Sequence, residues 1–250
     1  MDIEICIDNI ESALIAQNSG ADRLEVCGCL ALGGVTPPYS LIKTVLDVCN
    51  IPCYVMIRPR SGDFLFNAHE IKMMEQDIHI AKQLGAQGVV IGALTENGEI
   101  DLSICHRLIS AAEGLGVTFH RAFDLCSDPY HGLEQLIELG CERVLTSGQQ
   151  RTAFEGRYVL KTLVQQAKGR IKIMAGAGVN PNNALELVKI SKVDELHLSA
   201  KTFRQSSMKG NSSVTMGNKA EDDYKIWTTD RNQIIAIKKL FQDIKKLFQE

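Results

Sequence analysis

Val117-Thr118-Phe119-His120-Arg121-Ala122-Phe123-Asp124 is the stretch whose reading decides the fold. It follows the break at Gly114-Leu115-Gly116 and opens as a strand, with a β-branched pair and then an aromatic. It then places a histidine, an arginine and an aspartate within five positions. Buried strands of parallel sheets normally run as nearly continuous apolar segments. Ionisable residues at the carboxyl end of such a strand point to a site. A satisfied polar cluster at a strand end is the alternative.

On either side, short strand-like runs alternate with amphipathic segments. Strands are predicted at 2–7, 23–27, 53–58, 89–94, 117 onward, 143–146, 171–175 and 195–199. Helices are predicted at 9–18, from an N-cap at Thr36 to 48, at 68–84, after Asp101, from Pro129 to near Gly140, and ending near Lys168 and Ile190. An irregular polar stretch follows from Thr202 to Met216, and a last helix runs from about 230 to 248. Eight strands alternating with helices imply a parallel sheet with right-handed crossovers. At 250 residues, the α/β fold predicted is a single (β/α)8 TIM barrel spanning the chain, with segment 202–229 over or beside its mouth and a terminal helix. An open doubly wound sheet is the rival, but Asp8-Asn9-Ile10-Glu11 is no glycine-rich nucleotide turn.

Composition narrows the function. Charged residues make up 23% and the formal net charge is −3, so there is no basic field for nucleic acid. No apolar run approaches the roughly 20 residues of a membrane span, and no signal-peptide pattern is present. A cytoplasmic location follows as the expectation. Eight scattered cysteines without a Cys-x-x-Cys pair are read as free thiols.

Period-two alternation sets Ile3, Ile5 and Ile7 against Glu4, Cys6 and Asp8, and Leu196 and Leu198 against Glu195, His197 and Ser199. With the apolar faces toward the helices, the barrel interior receives Glu4, Glu25, Arg58, His120 and His197. Unpaired buried charge costs several kcal/mol, so these groups are expected to pair with one another. A purely structural network is the alternative for the glutamates. Strands 1 and 2 echo each other as Glu4-Ile5-Cys6 and Glu25-Val26-Cys27. In-register pairing would set the thiols of Cys6 and Cys27 about 4.8 Å apart, a spacing that suits Cu(I), although small buried thiols are commoner.

Ser147-Gly148 and Gly176-Ala177-Gly178 occupy loops from which barrels often build phosphate sites, unless these glycines merely close short turns. Arg58, Arg60 and Arg121 favour an anionic ligand, a carboxylate or a phosphate. His120 is the first candidate for acid/base work, oriented by Asp124 or Glu25, and His197 with Ser199 is the second. His69, His79 and His106 read as surface residues of helices.

Several runs together resemble the CutC family, the so-called copper homeostasis proteins. They are Ala21 to Cys27, Gly33-Gly34-Val35-Thr36-Pro37, Ile57 to Phe64, Val117 to Asp124, Arg143 to Gly148, and Met174 to Gly178. The resemblance covers most of the chain. It implies a cytoplasmic (β/α)8 barrel, often homo-oligomeric, with Cu(I) ligation on Cys6 and Cys27. An interior of arginines, histidines and carboxylates keeps a second expectation open: an enzyme acting on a small anionic metabolite.

Overall fold

The computed structural model describes residues 1–209, 214 and 223–247, with side chains as far as 242. Eight parallel strands close into a barrel in chain order: β1 (Asp2–Ile7), β2 (Arg23–Val26), β3 (Cys53–Met56), β4 (Gly88–Ile91), β5 (Gly116–Phe119), β6 (Arg143–Thr146), β7 (Lys172–Ala175) and β8 (Glu195–Leu198). β8 pairs back onto β1 with Glu4 opposite His197. The intervening helices are α1 (Ile10–Asn18), α2 (Tyr39–Val48), α3 (Ala68–Leu84), α4 (Leu102–Ala111), α5 (Pro129–Glu138), α6 (Arg157–Ala167) and α7 (Ala184–Ser191). After the barrel, β9 (Lys201–Gln205) and β10 (Lys225–Thr229) form an antiparallel ribbon, and α8 (Arg231–Leu247) follows.

Strand alternation sorts the side chains as expected. Ile3, Ile5, Ile7, Leu24, Val26, Val55, Ile57, Leu196 and Leu198 belong to the core between strands and helices. Inside the barrel the apolar cluster is small: Cys6, Cys27, Tyr54, Met56 and Val90. Met174 and Leu145 join it, and polar side chains fill much of the remaining space. Arg23 bridges Glu4 and Glu195, and Arg143 reaches Glu195 (3.1 Å), Thr118 (3.1 Å) and Glu142 (3.0 Å). The Tyr54 ring lies under both guanidiniums, and its hydroxyl donates to Glu142 at 2.7 Å. Arg143 and Tyr54 were not anticipated as interior groups, although Arg143 shares the inward face of its strand.

Three expectations change. Thr36 does not cap α2. The helix starts at Tyr39, because residues ahead of Pro37 and Pro38 are steered away from helical geometry. The Thr36 hydroxyl instead accepts from the Arg58 N–H (2.9 Å), tying the loop after β2 to the end of β3. The stretch read as irregular contains β9, whose partner β10 lies far along the chain, so no short hairpin turn announces the pair. Residues 210–213 and 215–216 of that stretch lie outside the described residues. Third, the strand echo is not the register: Cys6 stands opposite Glu25 rather than Cys27.

Tyr54 reaches across the interior because Gly88 offers no side chain, and a Cβ there would run into its ring. Gly88→Ala is expected to lower unfolding stability by about 1–3 kcal/mol, as overpacked cores do. A urea titration checks this, and Tyr54→Leu combined with Gly88→Ala should recover part of the loss. Equal stability of Gly88→Ala and wild type would contradict the packing described.

Candidate functional site

β3 ends at Met56 and β5 at Phe119, so Arg58 and His120 stand just past the carboxyl ends of their strands. Together with Asp8 after β1 and Ser199 after β8 they line a cavity of about 260 Å³. Carboxyl-end loops are where barrels of this kind place their sites. Cys6, Glu25 and His197 contribute from the strands, Phe64 and Arg121 from loops, and Lys201 and Trp227 from the ribbon. Trp227 and Lys201 escaped the sequence reading. The β-prone run Ile226-Trp227-Thr228-Thr229 was the signal available for Trp227.

On one side of the cavity, one donor atom each of Cys6, Glu25 and His197 lie within 4.8 Å of one another. Glu4 holds this group in place. Its Oε1 lies 2.7 Å from His197 Nδ1, while its Oε2 accepts from Arg23. His197 Nε2 is thereby left toward Glu25, 3.8 Å away. The Cys27 thiol donates to the same Glu25 oxygen at 3.2 Å, and Glu25 Oε1 is buried without a partner. Cys27 stands next to the cluster but does not line the cavity.

Electrostatics follow from that packing. Burial opposes the Glu4 charge, but His197 and Arg23 outweigh it and hold the carboxyl at about 2. Burial also opposes an imidazolium at His197, yet Cys6, Glu25 and Glu4 raise its pKa well above the usual histidine value. Burial, then Glu25 and Cys6, push the Cys27 thiol well up, and burial raises Cys6 and Glu25.

His120 differs from expectation. Asp124 does not orient it, and neither does Glu25. Its Nδ1 instead accepts from the Ala122 N–H at 3.1 Å, capping the short 3-10 helix Arg121–Leu125. Burial, then the Arg58 charge, bring its pKa down to about 3, so it is neutral at physiological pH rather than poised for proton exchange. Gly92 makes room for the ring, since a Cβ there would overlap it.

The other candidates are engaged elsewhere. Asp124 accepts from Thr146 Oγ1 (2.5 Å), Ser147 N (2.9 Å) and Gln149 N (3.2 Å), and pairs with Arg121 at 2.7 Å. The loop expected to cradle a phosphate with Ser147 and Gly148 is therefore filled by the chain's own carboxylate. Gly148 N–H donates to Thr146 Oγ1, and Gly176 N–H to the Thr146 carbonyl (3.1 Å). Neither of these glycines nor Gly178 lines the cavity. Arg60 pairs with Asp63 and Glu70, with its side chain partly in solvent, and is not a wall residue either. His69, His79 and His106 are exposed, as read.

Fold and site together define a (β/α)8-barrel protein with a cavity at the carboxyl ends of its strands. Residues 1–202 match the CutC family. Family protein CutC of Pasteurella multocida is 65% identical over 238 residues, covering 95% of this chain and 98% of that protein. The human copper homeostasis protein cutC homolog is 45% identical over 244 residues, 97% of this chain and 89% of the relative. The crystal structure of CutC from Streptococcus agalactiae superimposes with a TM-score of 0.76 at 35% identity, covering 80% of this chain and 98% of that one. The chain belongs to the CutC family. No helix among the described residues is long and apolar enough to cross a membrane.

The Glu4 carboxylate sets a pH expectation. A carboxyl held at about 2 in the folded state contributes stability that is fully present above its ordinary value of 4.5 and is lost as pH falls toward 2. The contribution is about 3 kcal/mol at 1.36 kcal/mol per unit. Unfolding curves of Glu4→Gln should therefore fall less steeply than wild type over that window. His197 should also titrate at lower pH in Glu4→Gln, read by imidazole ¹⁵N shifts. An unchanged His197 titration would remove the proposed coupling.

Proposed function

We propose that this protein binds Cu(I) through Cys6, which lines the cavity, and Cys27, buried next to it, and that it serves copper homeostasis in the cytoplasm. The observation that carries the reading is the cluster of Cys6, Glu25 and His197, with Cys27 at its edge and Glu4 behind His197. A histidine whose second nitrogen is held by a carboxylate is the usual arrangement behind a metal ligand. Two buried thiols supply the soft donors that Cu(I) prefers. Their raised pKa values fit metal binding coupled to proton release, because the ion replaces the proton on sulfur. Glu25 Oε1, buried without a partner, faces no competing donor. All eight cysteines are free, which suits a reducing compartment. The name of the human relative agrees with this role.

The test is an anaerobic titration of reduced protein with Cu(I) against a competing chelator. Wild type should take one ion tightly, and Cys6→Ala/Cys27→Ala should lose it. Glu4→Gln, which leaves every proposed ligand in place, should weaken binding roughly 10–100-fold, as loss of a supporting carboxylate does. Wild-type affinity in the double cysteine variant would sink the proposal.

A further inference from the structure

Three arginines are buried in this protein, and two of them have carboxylate partners. Arg23 holds Glu4 and Glu195, and Arg143 holds Glu195 and Glu142. Arg58, 7% exposed, has no carboxylate within ion-pair distance among the described residues. Three of its N–H groups donate to the carbonyls of Leu32 (3.3 Å), Gly34 (3.1 Å) and Gly62 (2.9 Å). Its Nε is buried with no acceptor, and one hydrogen of Nη2 remains over. These belong to the edge with which a guanidinium grips an oxyanion in bidentate fashion.

His120, 4% exposed, has the same deficit. Because Nδ1 accepts from Ala122, the neutral ring carries its hydrogen on Nε2, and that atom is also buried without a partner. The two side chains share a support. The Arg58 guanidinium lies 4.8 Å from the Phe64 ring centre, and the His120 ring lies 4.9 Å from it. All three line the cavity. A buried donor without an acceptor costs about 1–3 kcal/mol, and a buried cation without a counter-charge costs more.

We propose that the cavity binds a small carboxylate- or phosphate-bearing molecule, with its oxyanion against Arg58 and His120. Several other charged groups of the wall have partners of their own. Arg121 pairs with Asp124, Asp8 accepts from the Leu30 N–H at 3.0 Å, and Glu25 accepts from the Cys27 thiol. Lys201, another cation of the wall, stands 3.9 Å over the Trp227 ring beside an apolar face. A cavity of about 260 Å³ admits a small metabolite and not a polymer. This site needs no metal and does not depend on the copper reading.

The experiment is calorimetric titration of metal-free, reduced protein with two probes, inorganic phosphate and malonate. At least one should bind saturably at one site, and the stronger of the two assigns the class. Arg58→Lys keeps the charge and loses the fork. His120→Asn keeps an acceptor for the Ala122 N–H and loses the ring donor. Each should weaken the better probe at least tenfold. In wild type, the His120 Nε2 resonance should move as the anion is added, a readout that needs no variant to fold. Failure of both probes to bind wild type, equal binding in both variants, or a stationary Nε2 resonance overturns the proposal. With no copper present, loss of Cu(I) binding and loss of anion binding are separate results.

Discussion

Closure of this barrel rests on the guanidinium of Arg23, which joins Glu4 of β1 to Glu195 of β8 from its own place at the start of β2. β1 is the strand at which the sheet meets itself, pairing with β2 on one side and β8 on the other. An ion pair buried this deeply is weak evidence of net stability, because desolvation offsets most of the attraction. Removing one partner is another matter, since it strands a charge in a medium that cannot solvate it, at about 3–5 kcal/mol. The network therefore acts as a constraint: once the chain is folded, each member holds the others in register.

The same carboxylate carries that constraint up to the cavity. One oxygen of Glu4 faces Arg23, and the other holds His197. His197 then faces Glu25 and Cys6, and Glu25 accepts from Cys27. Many barrels fill this space with branched aliphatic side chains. Here it is filled by a ladder of alternating charge, with a small apolar cluster of Cys6, Cys27, Tyr54, Met56 and Val90 beside it. The floor that closes the barrel and the group that would hold a ligand are thus one hydrogen-bonded system.

The barrel was legible because its signals are local. Period-two alternation is clear in β1, β2 and β8, and Ile3, Ile5 and Ile7 announce an outward face without knowledge of any neighbour. Most of the interior set could be read from that alternation alone. What escaped depends on distances between strands. The stagger of β1 against β2 by two residues placed Glu25, not Cys27, opposite Cys6. The occupation of the Ser147 loop by Asp124 needed the fold to bring the 3-10 helix after β5 beside the end of β6. β9 and β10 pair across an intervening segment, so Trp227 reached the cavity from a stretch with no turn signature.

The two sides of the cavity have opposite chemical character, and this decides what each can do. Around β1, β2 and β8 stand Cys6, Glu25 and His197, electron-pair donors whose protons an ion can displace. Beyond β3 and β5 stand Arg58 and His120, each with one buried ring or guanidinium nitrogen that lacks an acceptor. His120, read from the sequence as an acid/base candidate, is held in its neutral form by its surroundings. A histidine brought to about 3 by burial and by Arg58 carries no exchangeable charge at neutral pH. What it offers is a fixed neutral donor, of the kind that polarises an oxygen without transferring a proton. On the opposite wall His197, Glu25 and Cys6 share one electrostatic environment, and Glu4 sets the balance among them.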